Sequence, residues 1–140
     1  MDFVGPISPL GKWTSAHYII TATDYLTRWV EAAPVKDCTA AIATHFLFEN
    51  IITIFVCPKI LISDQGTNFV NKLIVELTAE FQIQHKKTTP YHPQENGIVE
   101  AFNKVLENVL TKVCNKRRDD WDQKVSVVLW AYRTTCKRLT

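Results

Sequence analysis

Between residues 16 and 35 the chain reads AHYIITATD and then RWVEAAPV, two short runs of strand-forming residues with polar positions between them. That pattern predicts an antiparallel pair joined by a tight turn near Tyr25–Thr27. CTAAIATHFLFENIITIF (38–55) is apolar almost all round, which predicts a buried helix stopped by Pro58. KILIS (59–63) is too short for a helix and is bounded by Pro58 and Gly66, so it reads as a buried central strand. Phe69, Val70, Leu73, Ile74, Leu77 and Phe81 then return at helical spacing, with Thr67 or Asn68 as the cap. IQHKKT (83–88) predicts a brief strand. From Gly97 onward, Ile98, Phe102, Val105, Leu106, Val109 and Val113 form an apolar stripe opposite Glu100, Lys104, Glu107 and Thr111. A last helix from about Asp120 turns Trp121, Val125, Val128, Leu129 and Tyr132 to the core. Trp130 falls outside that stripe, to cover a loop or to join Val127 in a subunit contact.

Strands first, then strands alternating with helices, predict a mixed sheet covered by helices. No repeat, low-complexity tract or linker interrupts the 140 residues, so the expectation is one α/β domain large enough for a core. No apolar run approaches the roughly 20 residues of a membrane span, and no signal-peptide pattern opens the chain. Cys38, Cys57, Cys114 and Cys136 form no C-x-x-C pair, and His17, His45, His85 and His92 lack zinc-ligand spacing. Reduced thiols in an intracellular setting, with no structural zinc, are therefore expected.

Charge sharpens the picture. Residues 101–140 hold nine Lys/Arg against four Asp/Glu, whereas the whole chain is only +2. Either a helix carries a solvated basic face, or the basic end meets a polyanion beside a site whose acids bind metal. Lys86, Lys87, Lys116, Arg117 and Arg118 are candidates for sequence-independent phosphate contacts.

Two acids stand out. Asp64, in LISDQGTNF, ends a buried strand just before a glycine turn and a helix, where open α/β sheets place their ligands. The plainer alternative is an Asx turn or helix cap. Glu100 follows the proline-rich stretch TTPYHPQENGIV, on the polar side of its helix, where most glutamates are simply solvated. Thirty-five residues separate the two.

With that interval the chain resembles the catalytic core of retroviral and gypsy-type retrotransposon integrases, whose pattern is Asp, a second Asp, thirty-five residues and Glu. SDQGTNF is similar to the second-aspartate motif, TPYHPQENGIVEAFNK to the glutamate motif with its loop, and WAYRTT to a segment common in gypsy-type elements. The resemblance covers essentially the whole chain. It implies a ribonuclease H-like fold, with a mixed central sheet of about five strands flanked by helices.

The resemblance assigns the first catalytic acid to Asp2, in MDFVGPI, and leaves Asp24, at the end of YIITATD, as structural. It implies that Asp2 bridges two Mg²⁺ or Mn²⁺ ions, with Asp64 on one and Glu100 on the other. Two such ions stabilise the attacking and leaving oxygens of a phosphodiester exchange, and hard cations suit carboxylate ligands. By the same resemblance Tyr91, Gln94 and Asn96 lie near the element's DNA end, and Lys104 contacts its phosphates. For Tyr91 the alternative is a packed loop aromatic, and for Lys104 an i, i+4 pair with Glu100. Pro90 and Pro93 are expected to restrict the loop before Glu100, with Gly97 as a hinge.

The implied function is DNA integration: trimming and joining of element DNA to target DNA. The implied partners are DNA and further copies of the chain, and the implied place of action is the nucleus, reached by way of cytoplasmic particles. The chain is read as a catalytic core lacking the family's zinc-binding and C-terminal DNA-binding domains. Asp2, as second residue, is expected to fray, weakening or abolishing activity. The competing reading is an inactive retrotransposon-derived module that only binds DNA or partners. A ribonuclease H-type cellular nuclease is disfavoured by the interval. A nucleotide-binding protein is disfavoured because neither G-x-G-x-x-G nor a P-loop occurs.

Overall fold

Strand β2 (Tyr18–Thr23) is buried on both of its faces, and the rest of the architecture follows from that. The computed structural model describes residues 1–24, 27, 29–52, 60–63, 72–87, 93–114 and 116–136. β2 lies between β1 (Asp2–Val4) and β3 (Val30–Val35), antiparallel to both. The register pairs Asp2 with Thr21, Val4 with Ile19, and Thr21 with Ala32. Side chains alternate across a strand, so Asp2, Val4, Ile19, Thr21, Val30 and Ala32 share one face. Phe3, Ile20, Ala33 and Val35 share the other.

Each face has its own helical cover. On the first, Val4, Ile19 and Val30 pack with Phe102, Leu106 and Leu110 of α3 (Pro93–Val113) and Trp121, Val125, Val128 and Leu129 of α4 (Trp121–Cys136). On the second, Ile20 packs with Ala43 and Phe46 of α1 (Ala40–Phe46) and Ile74 of α2 (Lys72–Glu80). Side chains such as Phe102 and Leu106, both essentially fully buried, each contribute about 1.5–3 kcal/mol through removal of apolar surface from water.

β4 (Ile60–Ser63) and β5 (Gln84–Lys87) run parallel and are linked through α2, as a parallel pair requires. The five strands thus form two ladders, of three and two strands, among the described residues. The Met1 nitrogen donates to the Ile62 carbonyl at 2.8 Å, bringing the edge of β1 beside β4.

Several expectations need correction. β1 is not frayed at Asp2: the residue is paired with Thr21, and its neighbour Met1 is tied to Ile62. The 38–55 run is not buried all round. Ala43, Phe46 and Leu47 face inward, Phe48 is 40% exposed, and α1 widens into a π-helical segment at Leu47–Ile52. α3 starts at Pro93, not near Gly97. Proline fits there because a first-turn residue needs no backbone N–H partner. Within α3, Leu110 is buried while Val105 and Val113 are exposed, so the inward stripe runs through 102, 106 and 110.

Candidate active site

Asp2 is the one of the three expected acids whose side chain is among the described residues. It sits half-buried on β1, on the sheet face covered by α3. One carboxylate oxygen, Oδ1, accepts from the Phe3 N–H at 2.9 Å. The other, Oδ2, accepts from the Asn103 side-chain amide at 3.0 Å. Asn103 is on α3, three residues after Glu100. Three residues of α-helix bring a position back to nearly the same side, so positions 100 and 103 share a face. On the other side of β1, Met1 is bonded to Ile62, two residues before Asp64.

Asp64 itself lies outside the described residues, as does Tyr91. The backbone of α3 includes Gln94, Asn96 and Glu100, whose side chains are outside the description. Glu100 therefore stands seven residues after Pro93, about two turns into its helix. Gln94 and Asn96 belong to the first turns of that helix and not to a loop. Gly97 is inside it too, so the expected hinge is replaced by helix. Among the described residues no three His, Cys, Asp or Glu side chains gather to hold a metal ion.

Lys86, on β5, and Lys104, on α3, are both exposed, as are Lys116, Arg117 and Arg118 beyond α3. Lys87 is on β5, its side chain outside the description. Asp24 follows β2 at the hairpin end, where its Oδ1 accepts from Thr27 N–H at 3.3 Å and its own N–H donates to the Trp29 carbonyl. That is the structural role expected of it.

Sequence reasoning passed over two groups near the site. Asn103 looked like any polar residue on a helix. Its Oδ1 is the buried side-chain polar atom that finds no hydrogen-bond partner among the described residues. Ser63, which ends β4 immediately before Asp64, is almost wholly buried, with its Oγ 2.6 Å from His85 Nε2 on β5. No local pattern signals either, because both depend on pairing between distant segments.

A sheet covered on both faces by helices, with an acid on its first strand held from a helix that also carries a glutamate, defines a layered α/β core. The sequence pattern of the integrase core domain matches residues 1–93. The chain belongs to that family. It is 31% identical over 128 residues to the Pro-Pol polyprotein of simian foamy virus type 1, covering 91% of this chain and 11% of that polyprotein. It is 27% identical over 133 residues to the retrovirus-related Pol polyprotein from transposon 412 of Drosophila melanogaster, covering 94% of this chain and 11% of that one. The chain thus spans about a tenth of the length of these relatives. The crystal structure of the catalytic core domain of BIV integrase superposes with a TM-score of 0.76 at 22% identity, covering 96% of this chain and 82% of that one. The fold is ribonuclease H-like.

Proposed function

We propose that this chain is the catalytic core of an integrase acting in divalent-metal-dependent polynucleotidyl transfer, processing the 3′ ends of an element's DNA and joining them to target DNA. Asp2, Asp64 and Glu100 are the proposed acids. The observation that carries this reading is the hydrogen bond from Asn103 to Asp2, which links the strand bearing the first acid to the helix bearing the last. The Met1–Ile62 bond links that strand to the one leading to Asp64.

The residues present fit hard divalent cations such as Mg²⁺ or Mn²⁺. Asp2 offers oxygen donors only, and the orphaned Oδ1 of Asn103 suits the hydrogen-bond donors of a cation's water shell. Two bound ions would lower the charge on attacking and leaving oxygens together. The protein's own part is to hold the carboxylates still. Asp2 is fixed by the β1–β2 register and by Asn103, and the backbone at Glu100 belongs to a long helix that packs on the sheet through Phe102, Leu106 and Leu110. A positioned carboxylate loses less on closing around a cation than a mobile one.

In the same proposal DNA is the substrate and the site of action is the nucleus. Lys104 and Lys86, with Tyr91, Gln94, Asn96 and Lys87, line the DNA path. Assembly with further copies belongs to it too. Trp130 and Val127, one turn apart on α4 and 69% and 51% exposed, supply an apolar surface for that contact. The competing reading is a retrotransposon-derived module that binds DNA or partners without chemistry; the pairing of Asp2 with Thr21 favours the catalytic one, because it holds the first acid in a strand.

The test is Mg²⁺- or Mn²⁺-dependent nicking and strand transfer on DNA ends by the parent chain and by Glu100→Gln. Activity in the parent that vanishes in the variant supports the reading, and unchanged nicking in Glu100→Gln ends it.

A further inference from the structure

We propose that the turn around Trp13, together with the basic run 116–118, is a second binding site, which takes an unpaired strand of nucleic acid by stacking a base on the Trp13 indole among cations. The site lies apart from the three acids and needs no metal, so it goes beyond the metal-dependent reading and does not depend on it.

Trp13 stands at the tip of a turn whose ends are buried. The Gly11 N–H donates to the Ala16 carbonyl at 2.9 Å and the Ser15 N–H to the Gly11 carbonyl at 2.8 Å, with Gly11 and Ala16 both buried. Three bonds then tie this turn to the start of α4. The Trp13 N–H donates to Asp122 at 3.0 Å, the Trp121 indole to the Pro9 carbonyl at 2.8 Å, and the Lys12 N–H to the Asp119 carbonyl at 2.6 Å. Yet the Trp13 ring is 62% exposed. A large ring on so firmly held a backbone is presented to solvent, not packed, and a preorganised surface loses less on binding.

Charge names the ligand. Lys12 Nζ lies 5.4 Å from the centroid of the Trp13 ring, and a cation over one face leaves the other for a flat partner. The Lys12–Asp119 bond brings Lys116, Arg117 and Arg118 within three chain steps of this turn, each step about 3.8 Å. All four cations are exposed, whereas Asp119 and Asp120 are half-buried and Asp122 is almost wholly buried. The surface shown to solvent is therefore positive and suits a polyanion. An aromatic face among cations suits a single strand in particular, because every unpaired base offers a flat face and a duplex keeps its bases stacked on each other. From Glu100 to Val113 α3 rises about 20 Å, so the turn, which meets the chain beyond the end of α3, lies away from the acids.

The whole chain in EDTA is tested against three labelled probes: an oligothymidylate, a duplex of the same length and a poly-glutamate peptide. Fluorescence anisotropy should show the tightest binding to the oligothymidylate. Trp13→Ala should weaken it roughly 5- to 150-fold, the worth of one stacked base, while Trp13→Phe keeps most of it and duplex affinity stays level. Lys116→Ala with Arg117→Ala, which spare the left-handed backbone of Arg118 (φ 60°), should flatten the salt dependence of log K by about 1.4, as for two lost phosphate contacts. Asp2→Asn should bind the oligothymidylate as the parent does. Absent binding in EDTA, an equal loss on duplex and single strand in Trp13→Ala, or loss of binding in Asp2→Asn overturns the proposal. Tighter binding of poly-glutamate also overturns it and makes the patch a protein-docking surface. Should Trp13→Ala fail to fold, the salt slope of the Lys116/Arg117 variant decides. A parent without metal-dependent nicking that keeps its Trp13 dependence would end the metal-dependent reading and leave this site standing.

Discussion

The carboxylate of Asp122, in the first turn of α4, accepts hydrogen bonds from both the backbone N–H and the hydroxyl of Thr14, each at 2.8 Å and 108 positions away in sequence. The same oxygen also accepts from Trp13 N–H at 3.0 Å. Gly11 makes room for it, since a Cβ there would stand 2.6 Å from the carboxylate carbon. Asp122 is almost completely buried, so its removal leaves three donors without a partner. Asp122→Ala is therefore expected to cost about 3 kcal/mol of stability, as for a buried charged hydrogen-bonding group. Urea unfolding followed by tryptophan fluorescence measures it. A loss under roughly 0.5 kcal/mol, typical of neutral surface changes, would contradict the clamp.

Arg133 ties the far end of α4 to β3. Its Nε and Nη2 both donate to the Val30 carbonyl, Nη2 also reaches Glu31 Oε1 at 2.8 Å, and the guanidinium lies 4.1 Å from the Trp29 ring centroid. Lysine keeps the charge but loses the planar fork and the stacking. Arg133→Lys should lower stability by about 1–2 kcal/mol, a figure in line with one lost charge-assisted bond. Thermal unfolding would show it as a drop in Tm, and an unchanged Tm would mean the fork is idle.

Burial pushes the Cys114 thiol above its ordinary pKa, and the Asp120 charge and hydrogen bond add to this, while Lys124 and Arg118 pull the other way. The fold thus favours the protonated thiol. Its contribution is fully present below the ordinary thiol range and is lost as pH rises through the elevated value. Alkylation of Cys114 by iodoacetamide should accordingly rise with pH later than that of a free cysteine peptide. Coincident profiles would refute the shift.

If copies of the chain meet through α4, a charge at Trp130 should separate them. Trp130→Glu is expected to reduce the weight-average mass in sedimentation at micromolar concentrations, with no loss of Tm because the ring is 69% exposed. An unchanged mass would remove α4 from the contact.

Much of this was legible in the chain. The β2–β3 pair, the short strands at 60–63 and 84–87, and the inward residues of α4 follow from periods of two and 3.6 in apolar positions. The start of α3 is hidden in the sequence because Pro93 suits a loop as well as a first helical turn, where proline is at home. Asn103 and Asp122 escaped for a different reason. Each makes its defining bonds with a partner more than 100 positions away, and no local pattern records such a meeting. The three acids were placed by resemblance, with Asp2 the one whose carboxylate is drawn here, and Asp64 and the Glu100 side chain lie outside the described residues.

The core that unites Val4 of β1 with Phe102 of α3 and Leu129 of α4 draws on both ends of the chain. On a ribosome, the hairpin of β2 and β3 can close early, but that core must wait for the last helix to emerge. Pairings of such long sequence separation are slow to find. Until α4 has been made, Ile19 and Val30 lack their final neighbours, so a nascent chain halted before α4 exposes an apolar sheet face to whatever chaperone or like chain is at hand.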